Sequence, residues 1–523
     1  MNSMVFIRFL QLSLKDLSVF RSDFIISIIH ILIYQGIFIL FWDALLRQLD
    51  SPLGEWDKGS LALLILVGLI FSSIRMLFFG FTTMSSKVIN GELDKYLCRP
   101  VSPLLALLAE DTKIWAAGHS LLTCSILFFF MDQVYDYQFT TLSFVYFLIS
   151  ILVGSLTLVL MEGCIALSAF WFGNVDRLFY LINSFGDFQR YPITLFPKLL
   201  QHFLIYVLPI GLVSSIPVMF LVGMYDEPAS MLIIQGVILL FWLCGFVWLW
   251  RCALRRYDSL GGKMSVLQLL RLELKEATHF RTNLYAWVLS HPLQLLIIYM
   301  LWQGIFHFTD SVAGYSLQHI VMYYFLVHFI NSFLSSAYTV NYQVWSDINE
   351  GGLDKFLCRP FNYLTLISIK NLSRPGIDAL FALPVLVIAV WLAPQQSSVF
   401  NWVMFTFSAW LSLLLLIEIQ KVIGLLSLWL EKVFGLRDIL FSFMMLLSGQ
   451  LLPLSILPQW LGEIALYSPF AALFHAPISQ VLPSQSVTGL SAIELQLLWL
   501  LVFILFSKLL WTVGRPKYQS LGG

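Results

Sequence analysis

Charge is what this sequence has least of. Only 11% of its 523 residues are Asp, Glu, Lys or Arg, under half of the roughly 25% carried by an ordinary soluble domain. That excludes a soluble multidomain protein with a solvated surface. The 30 basic residues balance the 30 acidic ones, so no excess of positive charge points to a nucleic-acid partner. Cysteine is scarce too: Cys98, Cys124, Cys164, Cys244, Cys252 and Cys358. None forms a C-x-x-C pair or stands in zinc spacing with a histidine, so no metal site is expected and the thiols read as reduced packing residues. A G-x-x-x-x-G-K-[ST] phosphate loop is absent, and "GGKMS" from Gly261 lacks the spacing. No loop gathers a Ser/His/Asp set. The chain is therefore expected to have no catalytic site and to bind no cofactor itself. The opening stretch lacks both a continuous apolar core and a small-residue cleavage site, so no cleavable signal peptide is expected.

Apolar residues make up 59% of the chain, with 45 Phe and 17 Trp, and the mean hydropathy is +0.83. These values define an all-α polytopic membrane protein. Before the first apolar run, Val5, Phe6, Phe9 and Leu10 are interrupted by Arg8, Lys15 and Asp16, the pattern of a helix lying in the membrane interface. The stretch "VLQLLRLELKEATHFRTNL" repeats that pattern later.

The repetition is general. "GELDKYLCRP" from Gly91 returns as "GGLDKFLCRP" from Gly351, 260 positions on. "FRSDF" from Phe20 matches "FRTNL" from Phe280, and "YDSLGG" ending at Gly262 matches "YQSLGG" ending at Gly523. The shared residues are polar, Gly and Pro in a constant register, which chance similarity of apolar helices does not produce. The chain reads as two units, 1–262 and 263–523.

Unit one offers apolar runs near 23–45, 60–84, 112–131, 140–171, 176–192 and 229–251. Unit two offers 286–307, 317–340, 374–393, 400–429, 437–453 and 490–512. That makes about 12 spans, six per unit. With the N-terminus in the cytosol, the outer loops of unit one hold only Arg47, Lys58, Arg190 and Lys198, and those of unit two hold no Lys or Arg. This positive-inside bias places both termini in the cytosol and makes the two repeats parallel. The segments 190–223 and 451–483 are apolar but broken by prolines. They predict short re-entrant or interfacial helices on the outer face; one extra kinked span per unit is the alternative.

The repeated decapeptide then falls between the second and third spans of each unit, on the cytoplasmic side. Gly91, Gly351 and Gly352 suit a helix break. Asp94 and Asp354 suit a cap. Leu93, Leu97, Leu353 and Leu357 can seat the loop, Lys95, Arg99, Lys355 and Arg359 offer charge, and Pro100 and Pro360 start the next element. A tight turn with lipid-anchoring arginines would explain one copy; two matched copies suggest a pseudo-symmetric partner beneath both. Inside the spans, Glu162, Asp187, Gln189, Glu418 and Gln450 form a candidate substrate path, because charged groups in lipid cost about 2.5–3.5 kcal/mol and face the bundle interior. Ion pairs Glu418–Lys421 and Asp187–Arg190 are the structural alternative.

With its G-x-L-D-x-x-L-x-R-P loops, proline-broken outer segments and Y-x-S-x-G ends, the chain resembles the permeases of the ABC type-2 exporter class. In that class two six-span subunits pair over two ATPase domains, which touch the loop and the N-terminal helix. The resemblance implies a permease subunit in a bacterial inner membrane. It also implies a separate ATPase partner, in two copies, that binds ATP and Mg. Family members usually carry one unit per chain; here two are fused. An ion-coupled secondary transporter with parallel repeats and a non-transporting membrane scaffold remain the alternatives. The first would require a buried acid–base relay in mid-span of both halves. The second would require an extramembrane domain or a catalytic cluster.

Overall fold

The computed structural model describes residues 21–49, 53–89, 93, 102–113, 117–118, 120–125, 129, 139–172, 175, 178–179, 182, 185–225, 227–256, 292–354, 362–372, 375–392, 398–430, 433–482 and 491–518. The expected interfacial N-terminal helix lies outside these residues. The chain folds as two compact units. One comprises Met1–Ile39 with Pro52–Gln294, and the other Leu40–Ser51 with Leu295–Gly523.

Every regular element among the described residues is helical, apart from two isolated bridges, Leu53 with Trp56 and Val312 with Tyr315. In the first half of the chain the helices used below are α1 (Arg21–Leu46), α2 (Lys58–Leu77), α3 (Gly80–Ile89), α4 (Pro103–Asp111), α5 (Thr141–Leu167), α6 (Lys198–His202), α7 (Ser215–Val222) and α8 (Pro228–Arg256). In the second they are α9 (Pro292–Ile305), α10 (Leu317–Leu334), α11 (Val340–Asn349), α12 (Tyr363–Leu372), α13 (Pro375–Leu392), α14 (Val399–Leu425), α15 (Phe434–Leu447), α16 (Gln459–Tyr467), α17 (His475–Ser479) and α18 (Ala492–Gly514).

Seven described helical stretches are long and apolar enough to cross a membrane, with shorter apolar helices at Pro292–Ile305 and Ala382–Leu392. The protein is thus a polytopic all-α membrane protein built from two repeated units. The repeat is exact in places. Helices α3 and α11 are both ten residues long and start 260 positions apart, and α5 and α14 are both 27 residues long. Their caps are duplicated as well. The Thr140 hydroxyl accepts from Ser143 N–H, and the Ser398 hydroxyl accepts from Asn401 N–H, satisfying one of the orphan donors at each helix start.

The second spans differ from the uninterrupted runs expected at 60–84 and 317–340. In the first unit the run breaks at Phe78–Phe79, where Phe78 N–H bonds Arg75 C=O, and resumes as α3. In the second it breaks between α10 and the 3-10 turn Ala337–Thr339 and resumes as α11. The pieces after the breaks, GFTTMSSKVI and VNYQVWSDIN, are the more polar ones, but no proline marks either break.

The proline-broken segments consist of short pieces. Residues 187–222 hold 3-10 turns, the five-residue α6, a π turn at Phe203–Val207 and the eight-residue α7. Eight residues of helix rise about 12 Å, far short of a hydrocarbon core of about 30 Å. None of these pieces is long enough to cross by itself. In the second unit the pieces are Leu454–Ile456, α16 and α17.

Each unit has its own core. In the first, Phe81, Met84, Leu93, Leu107, Leu167 and Phe246 cluster. In the second, Leu326, Leu353, Ile367, Phe405, Leu416 and Phe474 do so. Leu93 and Leu353 are the decapeptide's contribution to these cores, and both are fully buried.

Candidate functional site

The decapeptide loop grows out of α3 in one unit and α11 in the other. The end of α11 is visible in detail. Glu350 N–H bonds Ser346 C=O at 2.8 Å, and Leu353 N–H reaches back to Asp347 C=O at 2.6 Å. Between them Gly351 has φ +76°, a conformation that an L side chain resists and glycine adopts freely. A Cβ on Gly352 would stand 2.8 Å from Asp347 Oδ1. The two glycines thus turn the chain sharply and drop Leu353 into the core. Asp354 follows, accepting from the Tyr518 hydroxyl at 2.9 Å, which ties the loop to the end of α18. The backbone that Asp354 is expected to cap lies outside the described residues. Gly91, Asp94, Lys95, Leu97, Arg99, Pro100, Lys355, Leu357, Arg359 and Pro360 lie outside the described residues.

Each loop is framed by a helix pair, α3 with α4 and α11 with α12, and each pair is held by side chains in one register with different chemistry. In the first unit Lys87 Nζ stands 2.6 Å from Asp111 and 3.9 Å from Glu110, while the Thr83 hydroxyl also bonds Asp111. The second unit places Asp347 where Lys87 stood, Gln343 for Thr83 and Asn371 for Asp111, each 260 positions on. Asp347 accepts from the Tyr363 hydroxyl at 2.9 Å, and Asn371 donates to Gln343 at 3.1 Å. Burial raises the Tyr363 pKa, and the neighbouring Asp347 carboxylate raises it further, so the hydroxyl remains a donor. An ion pair in one unit is replaced in the other by a tyrosine–carboxylate hydrogen bond and an amide–amide one.

The candidate path residues separate into pairs. Glu162 receives Arg75 Nε at 2.9 Å. Glu418 receives Lys421 Nζ at 2.6 Å and the Ser507 hydroxyl at 2.9 Å, and Lys421 also donates to Ser368 at 2.9 Å. The Glu418–Lys421 ion pair is therefore present. Gln189 lies against α2, where a Cβ on Gly68 would meet its Cδ at 3.8 Å. Gln450 keeps its amide oxygen buried with no hydrogen-bond partner among the described residues. Asp187 begins the 3-10 turn Asp187–Arg190, and its side chain lies outside the described residues. Arg190 covers the Phe38 ring, 4.3 Å from its centroid. Within the units, Glu162 and Glu418 are thus each held by a cation.

Sequence reasoning missed a second duplicated feature. Gln235 on α8 and Gln496 on α18 are both completely buried. Gln235 donates to Ser150 on α5 at 2.9 Å. Gln496 accepts from Ser408 on α14 at 2.8 Å, and donates to Ser412 at 3.0 Å and to Ala472 C=O at 2.8 Å. Where the second unit has Ser412, the first has Gly154, and a Cβ there would collide with Leu212 C=O, so that backbone packs directly on α5. The signal lay in the register: each glutamine and its serine recur 261 and 258 positions apart.

A family model described as ABC-2 family transporter protein matches the chain twice, over residues 32–261 and 293–522. No curated protein and no solved structure matches it.

Proposed function

The chain belongs to the ABC-2 family of transporter proteins, and from that premise we propose that it supplies both membrane units of an ATP-driven exporter. Each half, 1–262 and 263–523, forms one permease unit, and substrate moves between them. A separate ATPase binds ATP and Mg and docks beneath the two decapeptide loops in two copies. The chain itself has no catalytic role. It sits in the bacterial inner membrane with both termini in the cytosol.

The observation that carries this reading is the matched framing of the two loops. A partner that pulls on a loop must move helices with it, because a slack loop would absorb the stroke. Leu93 and Leu353 are anchored in their unit cores, Gly351 fixes the turn, and a side-chain clamp joins the flanking helices in each unit. Motion imposed on the loop is thereby passed to the second span.

Paired carboxylates in both fourth spans are what an ion-coupled transporter would also contain. Their depth speaks against that use. Glu162 lies five residues from the end of α5 and Glu418 seven from the end of α14, about 8 and 10 Å from the helix end, and each is already neutralised by a cation.

The test is Arg99→Ala combined with Arg359→Ala. Arginine can hold two hydrogen bonds in fixed geometry, and losing a buried interface charge pair costs about 2–5 kcal/mol. The double variant should insert and fold while losing ATPase association or coupling, with each single variant partly affected. Normal association and normal substrate-stimulated hydrolysis in the double variant would mean that these arginines only anchor lipid phosphate.

A further inference from the structure

The two proline-broken segments have the same backbone plan and opposite interiors. Pro192 and Pro197 recur as Pro453 and Pro458, 261 positions on, and Pro209 and Pro217 recur as Pro469 and Pro477. Each segment carries a 3-10 turn, Ile193–Leu195 or Leu454–Ile456, followed by a helix that begins after the second proline.

In the first unit three side chains close over that turn. Trp56 Nε1 donates to Thr194 Oγ1 at 2.9 Å, Gln201 Nε2 donates to Phe196 C=O at 2.8 Å, and Ser215 Oγ accepts from Ile193 N–H at 3.0 Å. The second unit replaces Trp56 by Tyr315, Gln201 by Gly462 and Ser215 by His475. Around those replacements lies a cavity of about 350 Å³, lined by Tyr315, Tyr323, Ser455, Glu463, His475 and Ser479 among others. That volume falls within the range of about 300–1,000 Å³ typical of small-molecule sites. Tyr315 precedes α10, whose continuation leads to the decapeptide loop, so the cavity stands at the opposite end of the second span from that loop.

The lining fixes the chemistry of an occupant. Leu454, Leu457, Leu466, Ile478 and Leu482 give an apolar wall. Glu463 is the only formally charged lining residue besides the titratable His475, and it accepts from Gln459 at 3.0 Å. No Lys or Arg occurs anywhere between residues 438 and 507, whereas the first unit has Arg190 and Lys198 in the corresponding stretch. A carboxylate and tyrosine side chains lining one cavity, with no Lys or Arg among its lining residues, favour a positively charged guest.

We propose that this cavity binds an organic cation with an apolar body, and that the duplicated first-unit site is closed by its own side chains. The inference concerns binding alone and stands apart from the transport reading, since ligand can be measured with no ATPase present.

The experiment is calorimetric titration of benzyltrimethylammonium into the full chain in non-ionic detergent. The wild-type protein should bind at one site. Glu463→Gln keeps the shape and removes the charge, and affinity should fall at least tenfold. Gly462→Gln restores the first-unit residue, and binding should disappear. Gln201→Gly opens space in the first unit beside Lys198 and His202, and it should add no second site. Absence of binding to wild type, or equal binding by wild type and both second-unit variants, would overturn the proposal. Binding lost in Gly462→Gln but unchanged in Glu463→Gln would overturn the cationic class.

Discussion

Replacing either buried glutamine by leucine makes the same chemical change at equivalent points of the two units, yet the consequences should differ. The Gln496 amide oxygen accepts from the Ser408 hydroxyl, and its NH2 group, with two hydrogens, is shared among the Ser408 carbonyl, the Ser412 hydroxyl and the Ala472 carbonyl, which amounts to three hydrogen bonds at once. Interhelical hydrogen bonds in membranes average about 0.6 kcal/mol, so losing these three costs about 2 kcal/mol. At 1.4 kcal/mol per factor of ten, that is about a thirtyfold shift in a local opening equilibrium. Gln235 donates once, to Ser150, and its amide oxygen is buried with no hydrogen-bond partner among the described residues. Removing that oxygen offsets part of the loss, so Gln235→Leu should cost about 0.6 kcal/mol or less, under fivefold. Amide hydrogen exchange followed by mass spectrometry reads both. Protection in His475–Ser479 should fall about thirtyfold in Gln496→Leu, and protection in Ser215–Val222 should change little in Gln235→Leu. Equal effects, or a larger one in the first unit, would refute the argument that hydrogen-bond count sets the strength of each clamp.

Two further outcomes follow from the charge pairs and the topology. Glu162→Gln leaves Arg75 without its carboxylate and should cost about 3–5 kcal/mol, the usual penalty for breaking a buried pair; Glu162→Gln with Arg75→Met should recover most of it in a thermal-unfolding assay, and a double variant no better than the single would contradict the pairing. Leu199 is 84% exposed on α6, so Leu199→Cys in a cysteine-free background should react with an impermeant maleimide from outside the cell, and labelling only after lysis would reverse the assigned orientation. Ser214 is a poor position for that probe, being buried.

How much of this was legible in the sequence depended on whether a feature left a mark in composition or register. The two-unit plan did, because Gly, Pro and charged residues recur 260–261 positions apart. The short elements of 187–222 and 454–479 did too, because closely spaced prolines kink or interrupt a helix, although a lone Pro384 sits inside α13. The break at Phe78–Phe79 left little, since no proline marks it and the residues just before Gly80 are all apolar. Gln235 and Gln496 were visible letters, but a lone glutamine in an apolar helix gains meaning only beside the serine it meets, 85 or 88 positions away. The change from Lys87 to Asp347, 260 positions on, left no mark in composition. Only the contacts with Asp111 and Tyr363 show that both residues do the same mechanical job.

The central claim is that one chain supplies both membrane units and that a separate ATPase completes the transporter. Native mass spectrometry of the complex, purified through a tag on this chain alone, tests it most directly. The account predicts one copy of the 59.9 kDa chain with two copies of an ATPase, and loss of both ATPase copies in Arg99→Ala with Arg359→Ala. Two copies of this chain in the complex would contradict it.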